Sequence, residues 1–261
     1  MMSQAFWVSE GDDRFTATMH TQGPWNPQFE HGGPPGALLV RQLELCASRA
    51  DMMLGRISIN ILGPIPIATL SARARLVRPG RSVELLEASL EYEGRVVMQA
   101  SAWRVRIPTD RPPVVEETTA APTLPPPGTE TTPTTEWNCG FLNATEWRFV
   151  QGNYIHSGPA TVWVRPRYPL LAGEEMSPTQ RLILSADSAN GVSSPLDIRS
   201  WQFVPPELTV HILRPPTGEW ICLDAHTLIQ SEGIGLTTAD LFDEHGFVGR
   251  SGQTLLISRR A

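Results

Sequence analysis

Residues 57–64 read ISINILGP and residues 208–215 read LTVHILRP, so one strand-like pattern occurs twice, 151 residues apart. In both copies apolar side chains alternate with others ahead of a proline, which is typical of a half-buried strand. Further along, residues 90–97 (LEYEGRVV) and 242–249 (FDEHGFVG) lie 152 residues apart, and each predicts a hairpin with glycine in its turn. The chain therefore contains two copies of one strand pattern.

One predicted helix precedes each set of strands. Residues 36–47 are mostly apolar and follow Pro34 and Pro35, which suit a first helical turn because N–H groups there have no intrahelical acceptor. In the second copy, Ser177 is the expected N-cap of a helix that runs to Asp187. Both helices are apolar at their centres, so we expect each to be buried against a sheet.

The order of elements predicts an α+β fold. Each half reads strand, helix and then antiparallel strands, which a central helix wrapped by a curved sheet would explain. Two such halves would pair as the subunits of a homodimer do. Aligning Pro35 with Pro178 places Glu44 opposite Asp187.

A segment rich in proline and threonine, residues 107–136, separates the two copies. Its few apolar side chains show no period, so we interpret it as a partly extended linker. The predicted division is an N-terminal half at 1–106, this linker, and a C-terminal half at 137–261.

Composition limits the partners and the location. The net charge is −6, and the 21 basic residues, all arginine, form no run, which argues against nucleic acid as the main partner. The N-terminal residues do not resemble a signal peptide, and no apolar stretch reaches the roughly 18 residues of a membrane span. The three cysteines are widely spaced and fit reduced thiols. We therefore expect a soluble, cytoplasmic protein without a membrane partner.

Four segments in order carry a family resemblance: HGGPPGALL at 31–39, LILSADS at 182–188, LTVHILRPPTGEW at 208–220 and GRSGQ at 249–253. Together they resemble the thioesterase-like branch of the hotdog superfamily and are similar to type II bacterial acyl-CoA thioesterases. The resemblance implies a double hotdog, in which two fused hotdog halves share one chain. It also implies hydrolysis of acyl-CoA thioesters to the free acid and CoA, with no metal or organic cofactor.

The site of that family combines an Asp, a Thr or Ser, and a Gln that together orient a water molecule. By resemblance, Asp187 takes the Asp position and Gln253 the Gln position. An ungapped alignment puts Pro205, which has no hydroxyl, at the third position. Thr209 on the same predicted strand is the nearest substitute. We predict Asp187, Gln253 and Thr209 as the catalytic residues.

The residues themselves allow a second interpretation at each position. Asp187 follows an apolar run, where a carboxylate is costly without a partner or a purpose, but it could also cap the end of its helix. Gln253 aligns with Ser101 in the first half and could be an outward-facing residue of an edge strand. Gly32 and Gly33 could polarise a substrate carbonyl through backbone N–H groups, or could simply allow tight packing.

His31 is predicted to position the substrate with Gly32 and Gly33, and not to act as a general base. Two other functions stay open: a non-catalytic protein that binds acyl-CoA or an acyl carrier, and an acyl-CoA hydratase or dehydratase. That second class uses an Asp–His pair, and no Asp is followed closely by a His in either predicted helix. Exposed sheet edges also predict self-association into a homo-oligomer. Some arginines of the first half could form a basic patch for the CoA phosphates, and the others would be the solvent-facing residues of strands; the candidates are Arg41, Arg73, Arg75, Arg78, Arg81, Arg104 and Arg106.

Overall fold

The computed structural model describes residues 4–115, 120–154 and 156–260. The first half contains one helix and six strands. A short 3-10 helix at Met19–Thr21 lies between the second strand and the helix. Its elements are β1 (Trp7–Gly11), β2 (Arg14–Ala17), α1 (Gly33–Leu45), β3 (Met52–Ile61), β4 (Thr69–Arg78), β5 (Val83–Tyr92) and β6 (Arg95–Arg106).

The second half repeats this arrangement with small additions. Two one-turn helices, α2 and α4, and the short strand β9 are the added elements. The elements are α2 (Gly140–Asn143), β7 (Thr145–Gln151), β8 (Ala160–Pro166), α3 (Pro178–Ala186), α4 (Ala189–Val192), β9 (Trp201–Val204), β10 (Glu207–Ile212), β11 (Ile221–Ile229), β12 (Ile234–Asp243) and β13 (Gly246–Arg259).

The strands of the described residues form a single antiparallel sheet whose two halves mirror each other. Its order is β1-β2-β4-β5-β6-β3-β10-β13-β12-β11-β8-β7, with β9 paired to β13. Reading outward from the centre, β3 corresponds to β10, β6 to β13 and β5 to β12, as the repeat predicts. The halves join where β3 pairs with β10, with Ile57 opposite Val210. This arrangement confirms the predicted double hotdog.

The two long helices lie inside the sheet, and their sequences explain where they begin. Pro34 and Pro35 stand in the first turn of α1, whose side chains from Ala37 to Val40 are fully buried. Ser177 caps α3: its hydroxyl accepts from the Gln180 N–H, and the Gln180 side chain accepts from the Ser177 N–H. One hydrophobic core surrounds both helices and draws residues from both halves.

The predicted linker has no helix or strand in the residues that the structure describes, 107–115 and 120–136; residues 116–119 lie outside them. Its later part runs along the second half. The Thr131 N–H donates to the Trp147 carbonyl over 2.8 Å, and Arg148 donates to the Pro125 carbonyl over 3.0 Å. Leu124 packs against the cluster that contains Trp220. The segment is thus attached to the second half, and the division into three parts stays a prediction.

Candidate active site

The N-terminus of α1 meets the C-terminus of α3 at two glycines. A Cβ atom added to Gly33 would lie 2.5 Å from the Leu184 carbonyl oxygen, and one added to Gly32 would lie 2.9 Å from Asp187 Oδ2. Any side chain at these two positions would therefore force the helices or the carboxylate to move. Glycine is needed here for the close approach of two helices, one from each half.

Asp187 is the C-cap residue of α3 and is also buried, so both interpretations of this residue hold. Its side chain lies against the start of α1, and the residue is 5% exposed. Burial raises the pKa of Asp187 to about 7, and a hydrogen bond from the Gly33 N–H opposes the shift. The carboxyl group therefore changes protonation state near neutral pH, as a general base should.

His31 is brought to Asp187 across the boundary between the halves. Its Nδ1 lies 3.1 Å from Asp187 Oδ2 and accepts a hydrogen bond of 3.1 Å from the Gly33 N–H. The imidazole stacks on Phe141 with ring centroids 3.9 Å apart, which fixes its plane. Burial lowers the pKa of His31 to about 3, so the ring is neutral. The sequence separation of 156 residues hides this Asp–His pair from any search for short spacings.

Gln253 also reaches this end of α3. It is 1% exposed and lies in β13, which has strands on both sides, so it is not an edge residue. Its Nε2 donates to the Asp187 backbone carbonyl, and its Oε1 accepts from the Asn190 N–H, both over 3.3 Å. The Gln253 amide therefore bridges the backbone where α3 ends and α4 begins. It contacts the backbone of Asp187 and not the carboxylate.

Thr209 does not join the other predicted site residues. Its neighbours Leu208 and Val210 are buried, so the alternation of the strand turns Thr209 to the outer face of the sheet. There its hydroxyl lies 3.1 Å from Ser58 Oγ and 3.3 Å from Glu207 Oε2. This placement corrects the expectation that Thr209 replaces the missing hydroxyl beside Asp187, and we leave it out of the proposed site.

A pocket of about 380 Å³ opens at Asp187. Pro205 forms part of its wall, as the alignment suggests, and no Ser or Thr from the described residues lines it. We call it the Asp187 pocket. Its ionisable and amide side chains are Asn26, Glu30, His31, Asp187 and Asn190. Its apolar wall includes Trp25, Phe29, Ile61, Leu62, Ile65, Val204, Pro206 and Leu256.

Three polar residues of this pocket, Asn26, Glu30 and Asn190, were not predicted from the sequence. Asn190 donates through Nδ2 to the Phe203 carbonyl over 3.0 Å. Its position three residues after Asp187, in a helical stretch, was a usable signal, because such residues share a face. Glu30 stands directly before the HGG motif, but nothing in its pattern distinguishes it from a surface residue. None of the seven arginines considered for CoA lines this pocket.

A smaller pocket of about 260 Å³ occupies the corresponding position at the other end of the helix pair. Glu44 replaces Asp187 there, and Leu54, Ile212 and Arg104 replace Pro205, Ile61 and Leu256 at the offsets of the repeat. We call it the Glu44 pocket.

The Glu44 carboxylate is hydrogen-bonded by other side chains of the protein. It accepts from the Ser177 hydroxyl and the Gln180 amide, each over 2.7 Å. Burial raises the pKa of Glu44, and these hydrogen bonds oppose the shift. Both of its oxygens therefore have protein partners, whereas the Asp187 carboxylate faces an open pocket.

In the part of the chain that the structure describes, no three His, Cys, Asp or Glu side chains stand close enough to hold a metal ion. Among the same residues, no helix is both long and apolar enough to cross a membrane.

Solved structures define the class of fold to which this arrangement belongs. A hotdog-fold protein of unknown function from Alicyclobacillus acidocaldarius matches 99% of this chain and 97% of its own with a TM-score of 0.76 and 16% identity. An acyl-CoA thioesterase II from Mycobacterium marinum matches 98% and 95% with a TM-score of 0.67 and 15% identity. At these identities the likeness establishes the fold alone, which is the double hotdog. No curated protein matches the chain.

Comparison with models of protein families identifies the family of the chain. The model of the acyl-CoA thioesterase N-terminal domain matches residues 21–105, and that of the acyl-CoA thioesterase C-terminal domain matches residues 117–257. The second match alone covers more than half of the chain. The chain belongs to the acyl-CoA thioesterase family.

Proposed function

We propose that this protein hydrolyses acyl-CoA thioesters to the free acid and CoA at the Asp187 pocket. One observation carries the proposal: a buried carboxyl group with a pKa of about 7 stands at the glycine N-terminus of α1, in a pocket with apolar walls. A base of this kind and a set of backbone N–H groups are what the addition of water to a thioester requires. Family membership supports the same reaction.

In the proposed mechanism, the Asp187 carboxylate accepts a proton from water as the water oxygen bonds to the thioester carbon. The carbonyl oxygen becomes negatively charged and accepts a hydrogen bond from the Gly32 N–H, which has no partner among the described residues. The positive end of the α1 dipole stabilises the same charge. The carbon–sulfur bond then breaks, and the protonated Asp187 returns its proton to the leaving thiolate.

Asn190 and Gln253 hold the water and the carboxylate in place. The Asn190 Nδ2 donates to the Phe203 carbonyl. The Oδ1 of the same amide can therefore accept a hydrogen bond from the water. Gln253 fixes the backbone carbonyl of Asp187 and the backbone N–H of Asn190. The His31 ring stays neutral, stacks on Phe141 beside the carboxyl group and takes no proton in the cycle. In this proposal, Asn190 supplies the polar contact that a hydroxyl at position 205 would make.

Thiol release from a panel of acyl-CoAs, short to long and aryl, tests the proposal against the binding-protein alternative. Hydrolysis predicts one free thiol and one acid for each thioester consumed, over many turnovers. Calorimetric titration with the same compounds measures binding. Tight binding without thiol release for every member of the panel would contradict hydrolysis and would support the alternative that rests on Pro205.

A second candidate is a hydratase or dehydratase that acts on acyl-CoA. The 3.1 Å contact between His31 Nδ1 and Asp187 Oδ2 favours it, because that chemistry uses an Asp–His pair. Loss or gain of the enoyl absorbance with 2-enoyl-CoA and 3-hydroxyacyl-CoA would detect it. Interconversion without thiol release would select this candidate over hydrolysis.

Self-association and a cytoplasmic location stay predictions. Sedimentation equilibrium of the full chain checks the first, and fractionation of cells that produce it checks the second.

A further inference from the structure

Two arginines stand where β13 extends beyond the Asp187 pocket. Leu256 of β13 pairs with Val204 of β9, and both residues line the pocket. Arg259 ends β13, and Arg260 follows it. At about 3.3 Å per residue, the backbone of Arg260 lies roughly 13 Å along the chain from Leu256. The strand that forms part of the pocket wall therefore carries positive charge just outside the pocket.

The Arg260 guanidinium is fixed against the outside of the pocket wall. Its Cζ lies 5.8 Å from the centroid of the Trp25 ring, and Trp25 lines the pocket. Its Nη1 donates to the Ile198 carbonyl over 3.0 Å, and the Arg260 backbone N–H donates to the Ser200 carbonyl over 3.1 Å. The guanidinium is thus held by one nitrogen and one ring contact.

The other edge of the same guanidinium is open. Its Nε and Nη2 have no hydrogen-bond partner among the described residues, and neither atom is shut off from solvent. These are the two nitrogens with which Arg41 binds the Glu174 carboxylate side by side, each over 2.7 Å. The open edge of Arg260 can therefore bind an anion in the same bidentate way.

No carboxylate of the described chain neutralises Arg260. It forms no ion pair with any described residue. Asp197, which precedes Ile198 in the sequence, is held by Arg199, whose Nε and Nη2 donate to it over 3.1 and 2.9 Å. Because the protein has a net charge of −6, an unpaired cation beside the pocket is a local site of attraction for anions.

The arginines expected from the sequence to contact CoA are less suitable. Arg78 and Arg81 lie at the turn that follows β4, and the carbonyl of Gly80 in this turn accepts from Arg49, which lines the Glu44 pocket. They are therefore at the other end of the helix pair. The remaining five all form ion pairs with carboxylates: Arg41, Arg73, Arg75, Arg104 and Arg106.

We propose that Arg260 binds a phosphate group of the CoA portion of the substrate. This inference rests on the proposed function for the identity of the ligand. The pantetheine arm of CoA separates the thioester from the phosphates. With the thioester at Asp187, the phosphates therefore lie outside the pocket, where Arg260 stands. Its contact with Trp25 limits the side-chain freedom that phosphate binding would remove.

Binding of thioethers that cannot be hydrolysed tests Arg260 independently of turnover. The probes are S-hexyl-CoA, S-hexyl-dephospho-CoA, which lacks the 3′-phosphate, and S-hexyl-pantetheine, which lacks every phosphate. Calorimetric titration measures their dissociation constants. We expect Arg260→Gln to weaken S-hexyl-CoA by about 10-fold or more, the usual effect of a hydrogen bond between charged groups, and S-hexyl-pantetheine by less than about 3-fold.

Arg259→Gln is the matched control. Arg259 has the same charge, forms no ion pair with a described residue, and stacks on Trp201, with its Cζ 4.4 Å from the ring centroid. Its loss of affinity for S-hexyl-CoA should stay below about 3-fold. Thermal unfolding confirms that both variants are folded. If the effect of Arg260→Gln persists with S-hexyl-dephospho-CoA, Arg260 binds the pyrophosphate; if it disappears, Arg260 binds the 3′-phosphate.

Four results would overturn the inference: no binding of S-hexyl-CoA by the wild type, wild-type affinity for it in Arg260→Gln, an equal loss with S-hexyl-pantetheine, or an equal loss in Arg259→Gln. The proposed hydrolysis fails separately. If the wild type releases no thiol from any acyl-CoA yet the binding losses are as expected, the hydrolysis is wrong and the phosphate contact of Arg260 stands.

Discussion

Asp187 combines two properties that seldom occur together in a helix cap: it is almost fully buried, and it faces an open pocket. Burial disfavours its charged form, and only a backbone N–H from Gly33 opposes the effect. The neutral imidazole of His31 brings no positive charge that would lower the pKa again. The chemistry of the site therefore depends on one carboxyl group whose pKa is set by its surroundings.

The pH dependence of the rate follows from that pKa. The carboxylate is the active form, so kcat/KM should rise with pH through about 7 and then level off. A pH profile from 5 to 9 with one acyl-CoA measures this limb. Glu44→Gln should leave the profile unchanged, whereas a limb near pH 4 would contradict a buried base.

The same burial should make Asp187 a cost to stability at neutral pH. Its folded pKa of about 7 lies above the unfolded value, so the unfolded chain releases this proton first as the pH rises. The free energy of unfolding should therefore fall between about pH 4 and pH 7. A shift of about three pKa units corresponds to ~4 kcal/mol above pH 7.

Asp187→Asn removes that cost. We expect the variant to be more stable than the wild type by up to ~4 kcal/mol at pH 8 and by only about 1.5 kcal/mol at pH 5. Urea unfolding at the two pH values measures the difference. A variant that is less stable at pH 8, or a gain that is equal at both pH values, would refute the assignment.

Some site residues could be predicted from the sequence because their own segments identify them. Asp187 interrupts an apolar helix, and Gly32 and Gly33 precede a proline-initiated one; this local pattern left two interpretations open, and the family resemblance favoured the functional one. Thr209 was predicted wrongly as a neighbour of Asp187, because sequence proximity to Pro205 does not fix which face of the strand a side chain takes. The contact between His31 and Asp187 was not predicted, because it joins segments 156 residues apart, and no local pattern distinguishes Glu30 from a surface residue.

The helices α1 and α3 lie side by side and antiparallel, so at each end of the pair a carboxyl group from the C-terminus of one helix meets the N-terminus of the other. At one end Asp187 meets glycines, and at the other Glu44 meets a capping box. The helix bounds were predictable because Pro34, Pro35 and Ser177 signal where the helices begin. The interface between these two helices was not predictable, because it depends on how the two halves pair.

Ser177→Ala tests the contribution of the α3 N-terminus, at the Glu44 end of the helix pair. The change removes both the N-cap of α3 and one partner of the buried Glu44. We expect the free energy of unfolding to fall by about 1–3 kcal/mol, from the lost cap and the lost hydrogen bond together. Chemical denaturation measures the loss. Acyl-CoA hydrolysis per folded molecule should stay within about 3-fold of wild type, and a large loss of activity would mean that the two ends are coupled.

The whole chain should unfold as one unit, although its sequence repeats. One core contains residues of both halves, and the β3–β10 pair closes the sheet between them. Two halves joined only by a flexible linker would instead unfold separately. The repeat predicted the two halves, whereas this shared core became evident only from their packing.

Ile57→Ala tests whether the two halves unfold together. Ile57 and Val210 face each other across the central strand pair, and both are fully buried. We expect a loss of about 2–5 kcal/mol, the usual range for this truncation in a core. Calorimetry should show one transition at a lower temperature. Two resolved transitions would contradict a common core.

The comparison of Asp187→Asn with Glu44→Gln decides whether the Asp187 pocket is the catalytic site. Both changes replace a buried carboxyl group by its amide at corresponding positions of the repeat, so the second controls for the general effect of the first. The measured quantity is kcat/KM for thiol release from an acyl-CoA at pH 8. We predict a loss of at least about 100-fold for Asp187→Asn and less than about 3-fold for Glu44→Gln. Equal losses, or an Asp187→Asn variant with wild-type activity, would contradict the assignment of Asp187 as the base.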